Sequence, residues 1–196
     1  MVINSAGSNG ADLLKVLVAC EFSGIVRDAF IAAGHTAMSC DLLPTEQTGP
    51  HYQGDIFDVV SRDWDLMIAH PPCQFLSVSG ARWWKDRRTQ QEDAVKFFLD
   101  LYGAAIPHIA IENPIGIMSS TFRKPDQIYQ PWWFGEGETK ATCLWLKNVP
   151  PLLATKMGWG RSDRIHKLPP SAERWRERSR TLPGVAAAMA QQWGHL

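Results

Sequence analysis

Within the 196-residue chain, the stretch Pro71-Pro72-Cys73-Gln74-Phe75-Leu76-Ser77-Val78-Ser79-Gly80 is the most direct statement of chemistry. Two prolines fix the backbone just ahead of a cysteine, and the small polar residues after it suit a loop lying against a ligand. A cysteine held at the mouth of a site can act as a nucleophile through its thiolate. Most cysteines are buried and inert, and Cys20, Cys40 and Cys143 fit that description; Cys73, in a proline-rich loop, does not. Glu112 offers a second group. A carboxyl whose pKa is raised by burial can protonate or hydrogen-bond a heteroaromatic ring, although the same acid could equally cap a helix. In Glu21-Phe22-Ser23-Gly24 the glycine could let the backbone approach a ligand, ahead of the free N–H groups of a starting helix, or it simply makes a turn. Asp41 could bond ribose hydroxyls, as acids at this place in nucleoside-binding sheets do, or belong to an ordinary turn. Asp55 could hold an adenine amino group or cap a helix over 56–61.

These residues share one placement. Lys15–Cys20 and Thr36–Cys40 read as short buried strands, as do Leu66–Ala69 and Ile109–Ile111. Helices are expected over Ile25–Gly34, over Thr89–Ala105 and, after Pro183-Gly184, over Val185–Trp193. Thr142–Leu146 reads as one more strand, ended by Val149-Pro150-Pro151. Strands alternating with helices predict an open α/β sheet, mostly parallel, with helices on both faces. In such sheets ligands sit at the carboxyl ends of the strands. Glu21–Gly24, Asp41, Pro71–Gln74 and Glu112–Pro114 all follow strands directly, so they are expected to converge on one edge.

Composition narrows the class. At about 150 residues per domain the length predicts one domain. Hydrophobic residues make up 45% and charged residues 20%, which argues against wholesale disorder. No apolar run reaches the roughly 18–20 residues of a membrane helix, and the polar start reads as a flexible leader over 1–12 rather than a signal peptide. The four cysteines show neither a disulfide framework nor zinc spacing. A reduced, cytoplasmic protein without membrane attachment or metal is expected. The net charge of zero hides an asymmetry: residues 1–139 carry 10 Lys and Arg against 17 Asp and Glu, and residues 140–196 carry 10 against 3. A basic face on an otherwise acidic chain suits a polyanionic partner, or a merely solvated segment.

Taken together, these motifs resemble the DNA methyltransferases that modify carbon 5 of cytosine, in the compact form found in phages and prophages. Pro72-Cys73-Gln74-x-Leu76-Ser77-x-x-Gly80 is similar to the catalytic Pro-Cys-Gln loop of that family. Glu112-Asn113 matches its Glu-Asn pair, with Pro114 where Val is commoner, and Phe22-Ser23-Gly24 resembles its cofactor loop. Asp41 stands at the ribose-binding acid, Gly54-Asp55-Ile56 at the adenine contact, and Pro183-Gly184-Val185-Ala186 at the last motif. The matches run in family order from residue 15 to the end. Departures are Val26 for a second glycine, Val185 for asparagine, and Glu138-x-Lys140-x-Thr142 where the family has Gln-x-Arg-x-Arg, so its base-contacting position falls on Lys140. Only residues 153–182, a small basic insertion, stand where the family inserts a target-recognition domain, between a core over 13–152 and a terminal helix over 183–196.

The resemblance implies a Rossmann-like fold dependent on S-adenosylmethionine, with S-adenosylhomocysteine as product. Phe22, Ser23, Gly24, Asp41, Leu42, Asp55, Ile56 and Pro71 would bind this cofactor. Cys73, Glu112 and Asn113 would be catalytic, acting on a cytosine flipped out of double-stranded DNA. Gln74, Ser77, Gly80, Arg82, Trp83, Lys85, Arg87, Arg88 and Lys140 would face the DNA. In Arg82–Arg88 the cations would touch phosphates and a tryptophan would prop the space left by the flipped base; alternatively the tryptophans pack on the next helix and the charges are solvated. So short an insertion could read only a short site, which a homodimer could complete. Two other readings stay open: a methyltransferase acting on an exocyclic amine, and a non-catalytic DNA-binding protein that keeps the fold. RNA or a free nucleotide is a further substrate class that phosphate-binding cations do not separate from DNA.

Overall fold

Short runs rich in Val, Ile and Leu make the centre of a twisted sheet in the computed structural model, which describes residues 13–78 and 86–196. In chain order the elements are β1 (Lys15–Ala19), α1 (Ile25–Ala32), β2 (Thr36–Asp41), β3 (His51–Gln53), β4 (Leu66–Ala69), α2 (Arg88–Tyr102) and β5 (His108–Pro114). They continue with α3 (Met118–Thr121), β6 (Gln127–Tyr129), β7 (Thr142–Lys147), α4 (Arg164–Lys167), α5 (Arg174–Ser179) and α6 (Pro183–Trp193). The sheet order is β3-β2-β1-β4-β5-β7-β6. β1 to β5 are mutually parallel, and β7 runs antiparallel to both β5 and β6. This is the expected Rossmann-like α/β architecture.

The central strands are buried on both faces, which is why they read as continuous apolar runs rather than alternating ones. On one face Val16, Val18, Leu66 and Ile68 pack with Val26 and Phe30 of α1 and with Val185, Met189 and Trp193 of α6. On the other, Leu17, Met67, Ile109 and Ile111 pack with Phe98 and Leu101 of α2 and with Trp145 of β7. No described helix is long and apolar enough to cross a membrane.

Several boundaries differ from those read in the sequence. The first helix ends at Ala32, two residues before Gly34, whose φ of +98° completes the turn. The helix expected over 56–61 is a single 3-10 turn, Ile56–Asp58. Glu112, Asn113 and Pro114 lie inside β5 rather than beyond it, because β7 pairs alongside them as far as Pro114 opposite Thr142. The three-residue β6 was not foreseen, since so short a strand at the edge of the sheet carries little periodic signal.

Candidate active site

Strand register gathers the chemistry. Ala19 pairs with Cys40 and with Ala69, and Ala69 pairs with Ile111. One residue further on, Asp41, Cys20, His70 and Glu112 therefore occupy one row across the carboxyl ends of four adjacent strands. Because successive side chains in a strand point to opposite faces, Glu112 and Asn113 serve different sides of the sheet. Glu112 is buried, and its Oε2 accepts a hydrogen bond of 2.9 Å from the Tyr129 hydroxyl. His70 Nδ1 lies 3.6 Å from the same oxygen. Asn113 Nδ2 donates to the Pro71 carbonyl at 2.8 Å, in a buried bond that ties β5 to the proline turn before Cys73.

The cysteine loop is held to the segment after Glu112 by its backbone. Ile117 N donates to Leu76 O at 2.9 Å and Val78 N to Ile115 O at 3.2 Å, while Ser77 bridges Gly116. Gly116 permits this approach: a Cβ there would stand 2.0 Å from Leu76 O. Cys73 is exposed at the edge so formed. The surrounding walls partly desolvate its thiol and push the pKa up, and the charges of Lys140 and Arg178 oppose that rise. Glu112 also acts on this thiol, in the upward direction. The structure thus brings Cys73, Glu112, Lys140 and Arg178 into one electrostatic neighbourhood, with Asn113 tying the loop to β5.

On the other side of the row, the loop after β1 departs from one expectation. The first N–H groups of α1 are not free: Glu21 Oε1 accepts from Val26 N at 2.7 Å and Glu21 Oε2 from Arg27 N at 3.2 Å. The chain thereby caps α1 with its own buried carboxylate. Burial pushes the pKa of Glu21 up, and those helix N–H groups work against it. Gly24, at φ +76°, adopts a left-handed turn, and a Cβ on it would meet the Arg27 guanidinium at 2.5 Å. Arg27 itself is wholly buried. It bonds Ser39 Oγ at 3.1 Å, Thr45 Oγ1 at 3.2 Å and the Gln47 carbonyl at 3.1 Å, so it fastens the loop after β2 beneath the loop after β1. Arg27 was not singled out in the sequence, where one cation in an amphipathic helix reads as a solvated residue.

The remaining expected positions are more scattered. Asp41 ends β2, and its Oδ1 accepts from Leu43 N at 2.9 Å; burial raises its pKa and that bond counters it. Leu42 is exposed beside it. Asp55 caps the 3-10 turn through Phe57 N at 3.0 Å, as its structural alternative anticipated, and Ile56 is buried behind it. Ser23 Oγ donates to Glu21 Oε1 at 3.1 Å. The buried Phe22 ring lies 5.7 Å from Trp175 in α5. Gln74 is exposed. Arg87 stands 5.9 Å over the Phe75 ring, and Arg88 pairs with Glu92 at 3.6 Å on the surface. Lys140 Nζ donates to the Arg180 carbonyl at 3.2 Å. Gly80, Arg82, Trp83 and Lys85 lie outside the described residues.

A small cavity of about 40 Å³, little more than one water's share of liquid volume, opens between Cys20, Glu21, Phe22, Ser23 and His70 on one side and Ser179, Arg180 and Thr181 on the other. Among the described residues, His70 Nε2 is buried without a hydrogen-bond partner. Glu21, Tyr129, His70 and Arg27 are site residues to which sequence reasoning assigned no role.

The fold is similar to that of a protein described as a DNA modification methyltransferase encoded within an E. coli prophage, at 16% identity over 68% of this chain and 46% of that one, with a TM-score of 0.48. It is also similar to S. pombe Dnmt2 methyltransferase, at 19% identity over 79% and 54%, with a TM-score of 0.49. A mutant of Spodoptera frugiperda DNMT2 gives 17% identity over 81% and 60%, with a TM-score of 0.42. The chain thus spans 46% to 60% of the length of these solved structures. No protein-family model and no curated protein matches it.

Proposed function

We propose that the chain is a DNA cytosine-5 methyltransferase that uses Cys73 as its nucleophile and S-adenosylmethionine as its methyl donor. One observation carries the reading: a cysteine on a proline-braced loop and a buried glutamate within the neighbouring strand β5 are tied together by the Asn113–Pro71 bond. A nucleophile and a ring-binding carboxyl held side by side are what addition to a pyrimidine needs.

The residues around the first loop suit a zwitterionic nucleoside. Asp41 offers a carboxylate where ribose hydroxyls are bound in such sheets. The buried Glu21 carboxyl and His70 Nε2, which has no hydrogen-bond partner among the described residues, would offer hydrogen-bonding groups to an amino-acid end. When bound there, S-adenosylmethionine would supply the electrophilic methyl group. Cys73, as thiolate, would add to carbon 6 of the extruded cytosine, forming an S–C bond while the ring electrons move to carbon 5. Glu112 would hold the ring nitrogen and exocyclic amine, stabilising the charge that addition creates. After carbon 5 is methylated, loss of its proton to solvent water would return electrons to the ring and break the S–C bond, restoring the Cys73 thiolate. Extruding the base costs a few kcal/mol, which contacts from the basic insertion over 153–182 would offset.

Nucleoside mass spectrometry tests the reading, on DNA from cells without their own methylases that express the wild type or Cys73→Ala. The expected result is 5-methylcytosine with the wild type and none with the variant. A methylated exocyclic amine insensitive to Cys73→Ala would replace this reading with amine methylation. Absence of any modified base from folded wild-type protein would favour a DNA-binding role without turnover.

A further inference from the structure

Segment 174–181 belongs to the basic insertion and is bonded to the loops that follow β1 and β2. Arg180 Nε donates to Glu46 Oε2 at 2.9 Å and Arg180 Nη2 to Glu46 Oε1 at 2.7 Å, a two-pronged pair spanning 134 residues of sequence. Glu46 N in turn donates to the Phe22 carbonyl at 2.8 Å, so the pair anchors the segment to the loops after both β1 and β2. Trp175 covers the Phe22 ring from the same segment. Ser179, Arg180 and Thr181 form the far wall of the cavity of about 40 Å³ between Glu21 and His70, too small for the amino-acid end of a donor. The backbone of Arg180 faces the other way. Its carbonyl accepts from Lys140 Nζ, the cation that acts on the Cys73 thiol.

We propose that Arg180 is a positioning residue that latches the two halves of the site together, its guanidinium closing segment 179–181 over the donor loops through Glu46 and its carbonyl holding Lys140 on the nucleophile side. Seating the amino-acid end of a donor of the S-adenosylmethionine class between Glu21 and His70 requires the segment to swing away from the loop after β1, and that movement draws the Arg180 carbonyl off Lys140. Donor binding and the freedom of Lys140 beside Cys73 are thereby coupled. The inference rests on the functional reading above. Bidentate Arg–carboxylate geometry makes this pair a specific clasp, and its partial exposure keeps it breakable.

Stopped-flow binding of S-adenosylhomocysteine, which cannot react, tests the latch in the full chain. Arg180→Ala and Glu46→Gln are expected to bind faster than the wild type by roughly threefold to tenfold, with Arg180→Lys between, because one prong of the pair survives. Should Arg180→Ala fold poorly, Glu46→Gln carries the test alone, since it alters only the loop partner. Lys140→Met is the decisive variant. It lies on the nucleophile side, and faster donor association in it, not additive with Arg180→Ala, is expected only if Arg180 transmits the effect. Wild-type association rates in Arg180→Ala and Glu46→Gln, or in Lys140→Met, overturn the latch while leaving the methyltransferase reading intact. No binding of S-adenosylhomocysteine by the wild type overturns both.

Discussion

Asn113 Nδ2 donates to the carbonyl of Pro71 at 2.8 Å, across 42 residues of sequence and out of contact with water. This bond sets where Cys73 sits relative to Glu112, because Pro71 begins the braced turn and Asn113 follows the glutamate directly. Asn113→Ala leaves a buried carbonyl unpaired, at a cost of about 1–3 kcal/mol in stability. Freed from that tie, the loop can shift, and a displacement of about 1 Å typically costs roughly a hundredfold in rate. We therefore expect methyl transfer to fall by about that factor while the melting temperature drops only modestly. Near-normal turnover would show that the prolines alone hold the loop.

Tyr129 and Glu112 form the second fixed pair. The phenol is completely enclosed and held well above its ordinary pKa, first by burial and then by the Glu112 charge. A group whose folded pKa is raised contributes stability below its unfolded pKa, and that contribution is lost as pH rises through and beyond the ordinary tyrosine range near 10. Tyr129→Phe removes both the phenol and this linkage. It should cost about 1.5–3 kcal/mol at neutral pH, the range for a hydrogen bond to a charged group. Its stability should also decline less steeply than the wild type's above pH 10, as denaturant melts at graded pH would show.

How much of this was legible in the residues depended on the kind of signal. Strand ends are marked by a change from apolar to polar residues, so Asp41, Cys73 and Glu112 could be placed on one edge before any coordinates. The tie between Asn113 and Pro71 follows from register, which β-strand sequences do not display. Tyr129 was missed because β6 spans only three residues and is defined by its partner, β7. Arg27 was missed for a different reason: burial of a cation depends on acceptors from a distant loop, here Thr45 and Gln47. Val26, by contrast, was noticed as a departure from a glycine-rich loop. The structure supplies its context, since Glu21 occupies the helix N–H groups that such a loop leaves open.

The charge balance around Cys73 gives a prediction independent of turnover. Desolvation raises the thiol pKa, and Lys140 is the leading influence that lowers it. Lys140→Ala removes the cation, so the thiolate should form at still higher pH and iodoacetamide should modify Cys73 more slowly at pH 8. Alkylation rates plotted against pH, read by peptide mass spectrometry, should shift to the alkaline side in the variant. A shift to the acid side would mean that loss of the lysine hydrates the thiol more than it removes charge.

Gly116 offers the sharpest steric test, because the atoms it would meet are backbone. An added Cβ would stand 2.0 Å from the Leu76 oxygen, 2.8 Å from its carbonyl carbon and 3.0 Å from Ser77 Cα. None of these can rotate aside, so Gly116→Ala must part the cysteine loop from the segment after β5, breaking the bonds from Ile117 N and Val78 N. Overpacking of this kind costs about 1–3 kcal/mol, which a domain of ordinary stability survives. The expected signature is a split: methyl transfer falls by at least about a hundredfold, the penalty for an ångström-scale displacement, while Cys73 alkylation accelerates as its walls loosen. Circular dichroism should remain that of a folded α/β protein. If activity and alkylation both stay at wild-type levels, the contact between the two loops does not position the nucleophile.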